Sequence, residues 1–239
     1  NFGIIVTGTS SELTLKPNMK IGTTTDPVNG TVALYGGNGG KIHFDASNNI
    51  ETNGESSHGV ILTGAGSVLD DVSSGFSHNF TATGKKSALL YAESGATIDL
   101  SNSSQINLKA SGDESIGVYA KNGTIKLGTA GTGTGNYEIG KNGVLFYSDG
   151  TGAGRIETSG VNFTVGDGSL FTRITTPSTT PGNEQIKFTL KHQYDYSFLF
   201  ESYHFNGSVY VDSKTGRHLS APRFLVFGVI YELSRLINL

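Results

Sequence analysis

An internal period constrains this chain more than any other feature. The short apolar runs IIVTG, VALYG, VILTG, ALLYA, IGVYA and VLFYS begin at Ile4, Val32, Val60, Ala88, Ile116 and Val144, a constant step of 28 positions. A looser copy, SLFTR at Ser169, breaks the spacing. Within the runs alternate positions are apolar: Ile4/Val6, Val32/Leu34, Val60/Leu62, Ala88/Leu90, Ile116/Val118 and Val144/Phe146. That is the pattern of a strand with one buried face. A second alternation follows at Leu13-Thr-Leu15, Ile42-His-Phe44, Val68-Leu-Asp70, Ile98-Asp-Leu100, Ile125-Lys-Leu127 and Ile156-Glu-Thr158. A weaker third beat falls at Ile21, Ile50, Phe80, Ile106, Ile139 and Phe163. Turns of Gly, Asn and Ser separate the three, and no unit holds enough apolar surface to fold alone.

Three short strands per unit predict an all-β fold, a right-handed parallel β-helix (solenoid) of about six 28-residue coils whose equivalent strands pair from coil to coil. A propeller blade needs ~40 residues and four strands, and a leucine-rich repeat carries a fixed asparagine ladder that the spacing does not show. Stacking at ~4.8 Å makes six coils a rod on the order of 30 Å long.

Composition agrees. Glycine supplies 34 of 239 residues and proline 5, which suits repeated turns better than a disordered tract. Charged residues are 15% of the chain and the net charge is −3, so no nucleic-acid partner is expected. Cysteine is absent, which removes disulfides and thiolate metal sites. No stretch reaches the ~18 apolar residues of a spanning helix, and no membrane insertion of this segment is expected. The opening NFGIIVTGTSSELTL has no charged leader with an apolar core, so the chain is expected to be a mature protein or an internal piece of a longer one.

The segments SIGVYAKNGTIKLG from Ser115 and GNYEIGKNGVLFYSDGTGAGRIE from Gly135 resemble the passenger repeats of large bacterial autotransporter adhesins, above all those of fusobacteria. The likeness covers about residues 1–174. It implies secretion through an outer-membrane barrel, a place on the bacterial cell surface or outside the cell, and a role in virulence. The implied function is attachment to a protein or glycan receptor on host cells or other bacteria. The barrel itself is expected to lie outside this sequence.

The character of the chain changes after the repeats. Residues 1–174 are read as the β-helix, 175–186 as a linker or bent loop around TTPSTTPGNE, and 187–239 as an aromatic-rich cap or small subdomain. A cap would cover the open edge of the last coil. Residues 205–211, followed by Asp-Ser-Lys-Thr-Gly, read as a strand and turn. From Pro222, apolar residues at helical spacing fit a terminal helix, and the β-branched run also fits a strand.

Candidate sites follow from the period. Tyr91, Tyr119 and Tyr147 share one outward position with Tyr35, Thr7 and Thr63. Stacked in adjacent coils, they fit either a sugar-binding aromatic surface or a structural ladder. Glu93, Lys121 and Asp149 recur at the same interval and predict an ion-pair ladder, as do Asp99, Lys126 and Glu157 on the second strand. A catalytic reading makes Glu93 and Asp149 the carboxylates of a polysaccharide hydrolase or lyase. Two coils separate them by ~10 Å, just beyond the spacing of an inverting glycosidase. The acids do not cluster and no Arg accompanies them, so no catalytic residue is assigned and no enzyme activity is expected. A stalk without a ligand is the third reading. GGNGGK at Gly36 begins like a calcium-binding nonapeptide but has Lys41 where Asp is needed, and the histidines lack ligand spacing. No metal or cofactor is expected.

Overall fold

The computed structural model describes residues 1–16, 18–128, 135–149, 154–159, 162–175, 186–190, 201–205 and 209–210. Every regular element among them is a strand, and the strands build three parallel sheets that wind as a β-solenoid of about six turns. The first sheet takes Phe2–Thr7, Val32–Gly37, His58–Thr63, Ala88–Glu93, Ile116–Lys121, Val144–Asp149 and Leu170–Ile174. The second takes Glu12–Leu15, Lys41–Phe44, Val68–Asp71, Thr97–Leu100, Thr124–Leu127, Arg155–Ser159 and Ile186–Leu190. The third takes Met19–Ile21, Asn48–Thr52, Ser77–Ala82, Gln105–Ala110, Asn136–Ile139 and Asn162–Val165.

Parallel pairing of the second sheet runs past residue 174, because Ile186–Leu190 lies against Arg155–Ser159. Two strands of the tail then turn back. Glu201–Phe205 pairs antiparallel with Ile186–Leu190, and Val209–Tyr210 with Leu170–Ile174, so both cover edges that the last coil would leave open. The expected linker, but for its ends, and the expected helix after Pro222 lie outside the described residues.

The pairing register departs from a constant step. Ile4 faces Leu34, Leu34 faces Val60, Val60 faces Leu90, and the column continues through Val118, Phe146 and Thr172. Successive members therefore differ in number by 30, 26, 30, 28, 28 and 26, which average 28. Every departure is an even number, so the alternation of inward and outward side chains survives and the expected inner set holds. Leu34, Val60, Leu62, Leu90, Val118 and Phe146 are fully buried, while Ile4 and Ile116 are half-buried. In the second sheet every step is odd, 29, 27, 29, 27 and 31 from Leu13 through Ile42, Leu69, Ile98 and Ile125 to Ile156, so a constant step of 28 does not tell its two faces apart. Its inward residues in the third coil are Leu69 and Asp71, paired with Ile42 and Phe44, and not the expected Val68 and Asp70. Slipping that segment by one residue exchanges its two faces.

Side-chain ladders hold the corners. Buried Ser57, Ser87 and Ser115 stand at the entry to the first sheet, where the Ser57 amide donates to Ser87 Oγ and the Ser87 amide to Ser115 Oγ. An asparagine ladder does exist, contrary to expectation. It runs up the third sheet, where Asn79 donates to Asn49 Oδ1, Asn107 to Asn79 Oδ1 and Asn162 to Asn136 Oδ1, and where the Asn136 amide donates to Asn107 Oδ1. Just beyond that sheet Gly54, Gly84, Gly112, Gly140 and Gly166 stack on one another, with room for no side chain between successive backbones.

His58 occupies the inner column of the first sheet between Val32 and Ala88, and its Nδ1 accepts the Ala88 amide at 2.9 Å. Burial lowers its pKa below the usual 6.5. The unfolded chain therefore binds the proton first: the contribution is whole above about pH 6.5, shrinks below it and is lost as pH falls through the folded pKa. Urea midpoints should fall between about pH 7 and about pH 5, and His58→Val should reduce that fall. An identical pH dependence in the variant would refute the assignment.

Candidate functional site

The three sheets turn very different columns to solvent. On the second sheet the outward column is Thr14, His43, Asp70, Asp99, Lys126 and Glu157. On the third it is Lys20, Glu51, Thr81, Lys109, Glu138 and Thr164, beside the asparagines. On the first it is Ile5, Tyr35, Ile61, Tyr91, Tyr119 and Tyr147, closed by Arg173. Apolar and aromatic side chains thus persist through six consecutive coils on one face. Six strands at ~4.8 Å give that stripe a length of ~24 Å. Phe2, 50% exposed, sets its ring edge-on to Tyr35 at 5.2 Å and widens the stripe beside Ile5, 54% exposed.

The tyrosines expected to stack do so. Ring centroids of Tyr91 and Tyr119 are 4.8 Å apart with 25° between planes, and those of Tyr119 and Tyr147 are 4.4 Å apart at 3°. The Arg173 guanidinium lies over the Tyr147 ring at 5.0 Å, a cation–π contact. Both faces of Tyr119 and of Tyr147 are thereby covered. Stacking a pyranose on a free ring face, one expected use of this column, has no place on these two rings; what they offer to solvent is ring edges and hydroxyls. Tyr35 precedes them in the column with Ile5 and Ile61, whereas Thr7 and Thr63 stand one column further on. The long and short register steps of the first coils, each even, moved them there.

The neighbouring column is Gly37, Thr63, Glu93, Lys121 and Asp149. Glu93 is held on three sides: Tyr91 donates to Oε2 at 2.5 Å, Thr63 to Oε1 at 3.2 Å, and Lys121 Nζ stands 3.8 Å from Oε2. Tyr119 donates to Asp149 Oδ2 at 3.4 Å, and Thr175 donates to Oδ1. Burial first, and the Glu93 carboxylate second, push the Tyr91 phenol well above the tyrosine range. Burial again leads for Tyr119, followed by Tyr147 and Asp149. Both phenols remain protonated donors. Glu93 and Asp149 stand two coils apart with Lys121 between them, an arrangement of ladder contacts. On the second sheet Lys126 Nζ reaches Asp99 Oδ2 at 3.2 Å. Burial pushes the Asp99 carboxyl up, but hydrogen bonds from Ser101 and Lys126 outweigh it and hold the pKa low.

Two polar clusters escaped the sequence reading. His43 bridges Asp70, 2.5 Å from its Nδ1, and Glu12, 3.4 Å from its Nε2, across three coils. Inside the solenoid, His78 Nε2 donates to Asp71 Oδ1 at 2.9 Å and Ser103 donates to Asp71 Oδ2 at 2.6 Å. The Asn48 amide donates to His78 Nδ1 at 3.2 Å, which fixes the neutral tautomer with its proton on Nε2. Phe44 packs on the imidazole at 4.9 Å. The serine bonds the carboxylate and not the imidazole, so the order differs from that of a nucleophilic triad. Its sequence signal was weak: Asp71 is a polar residue paired with Phe44, while His78 stands between the polar Asn48 and the apolar Ile106. Among the described residues no group of three or more His, Asp or Glu side chains is arranged to hold a metal ion, and GGNGGK forms a turn with Asn38 at φ 53°.

A family of unknown function, DUF6710, matches residues 181–239, the part of the chain beyond the sixth coil. No curated protein and no solved structure matches the chain.

Proposed function

We propose that this chain is a segment of a bacterial surface adhesin, with the outward face of its first sheet as the contact surface for a receptor on host cells or other bacteria. One observation carries the reading: the first sheet alone presents an apolar column, from Ile5 to Tyr147, where the other two present charged and amide columns. Contiguous exposed apolar surface rimmed by polar groups is the mark of an interaction site. Tyrosine suits it because ring edge and hydroxyl combine apolar area with a hydrogen-bond donor. The resemblance of the repeats to autotransporter passengers supplies the setting, display outside the cell on a rod built coil by coil. Contact is through edges and hydroxyls, with Lys121 and Arg173 at the rim.

The test is adhesion of the folded chain to host and bacterial cells, with and without Tyr91, Tyr119 and Tyr147 replaced by serine. Binding should fall at least tenfold, about 1.4 kcal/mol, while the β-sheet circular dichroism is retained. Undiminished binding by the variant would overturn the contact face. Absence of binding by the wild-type chain would leave a spacing stalk as the correct reading.

A further inference from the structure

Oxidation chemistry converges on the same column for a separate reason. The chain has no Cys, no Trp and one Met, but 10 Tyr, so phenols are its principal sites of one-electron oxidation. Tyr91 and Tyr119 are held in parallel register on adjacent strands with ring centroids 4.8 Å apart, and both are half-exposed to small oxidants. Each phenol already donates its hydrogen bond to a carboxylate, Tyr91 to Glu93 Oε2 and Tyr119 to Asp149 Oδ2. Loss of an electron from a phenol requires loss of its proton, and here an acceptor is in place for each. Tyr147 differs, because the Arg173 cation over its ring opposes removal of an electron.

We propose that Tyr91 and Tyr119 form an oxidative cross-linking site, joined as a biphenol by a peroxidase-class oxidant. Two phenols each give up one electron to the oxidant and one proton to the hydrogen-bonded carboxylate. The two tyrosyl radicals couple through their ortho carbons, forming one C–C bond, and the ortho hydrogens shift to the phenolic oxygens to restore both rings. Two electrons and two protons have left, and one hydrogen peroxide takes them to become two waters. The product covalently staples the fourth coil to the fifth across the face exposed to the surroundings. The chemistry does not depend on whether that face also meets a receptor.

The experiment exposes the folded chain to a haem peroxidase and hydrogen peroxide, then follows biphenol fluorescence and maps cross-linked peptides by mass spectrometry. A Tyr91–Tyr119 peptide pair, lighter by two hydrogens than its parts, is the expected product. Tyr91→Phe, which keeps the stacked ring, should abolish that pair, and Glu93→Gln should slow its formation several-fold. Unfolding the chain in urea beforehand should scatter the cross-links over other tyrosines. The proposal is overturned if the dominant intramolecular pair excludes Tyr91 or Tyr119, or if urea leaves the yield of this pair unchanged. An unchanged rate in Glu93→Gln would equally remove the carboxylate from the mechanism.

Discussion

Gly84→Ala should unfold or severely weaken this protein, by about 3 kcal/mol. A Cβ on Gly84 would sit 1.6 Å from the carbonyl oxygen of Gly54 in the coil below, and one on Gly112 would sit 2.0 Å from the oxygen of Gly84. Backbone cannot yield as a flexible side chain can, so the strain must be taken up by separating coils that are hydrogen-bonded through all three sheets. Gly30 is the control, since its Cβ would meet nothing within 4 Å. Its positive φ of 62° still costs a side chain about 1 kcal/mol, so Gly30→Ala should be the milder change. Urea melts of the two variants measure the difference. Equal midpoints would mean that the glycine column does not set the spacing of the coils.

The second large effect is expected at Asp71. Replacing it by Ala removes the acceptor for both His78 Nε2–H and the Ser103 hydroxyl, and both donors are enclosed within the solenoid, away from solvent. Leaving two buried neutral donors without an acceptor costs about 1–3 kcal/mol for each. Asp71→Asn keeps the shape and one acceptor oxygen, so it should lose less. An apolar triple, Asp71→Leu with His78→Phe and Ser103→Ala, should be more stable than Asp71→Ala alone, because no polar group is left unpaired. Chemical denaturation of the three variants decides the order. If the triple is the least stable, then packing around the imidazole, and not satisfaction of the carboxylate, is what matters there.

The sequence disclosed the fold through features that a two-residue slip cannot hide. Alternation in the runs at Val32, Val60 and Ala88 survived register steps of 30, 26 and 30, so the β-solenoid and most of its inner column were legible. Tyr91, Tyr119 and Tyr147 were legible because the coils that carry them keep the constant step. Ile5 and Ile61 were not, since a constant period aligned Thr7 and Thr63 with the tyrosines. The same irregularity hid the asparagine and glycine ladders, whose members are unevenly spaced along the chain. Asp71 and His78 failed for another reason. Polarity in a strand suggests an outward position, and only the pairing of Asp71 with Phe44 shows that it points inward. The sugar-stacking use of the tyrosines could not be judged from spacing, because whether a ring face is free depends on the 4.4 to 4.8 Å stacking between coils.

The central claim is that one of three faces makes the contact, and a lysine placed in turn on each outward column tests it most directly. Tyr119→Lys alters the first sheet, Glu157→Lys the second and Thr81→Lys the third, all at positions that face away from the core. Adhesion of each folded variant to the same cells should be lost for Tyr119→Lys alone, with the other two binding as the wild type does. Retained adhesion by Tyr119→Lys, or a loss confined to Glu157→Lys or Thr81→Lys, would contradict the account.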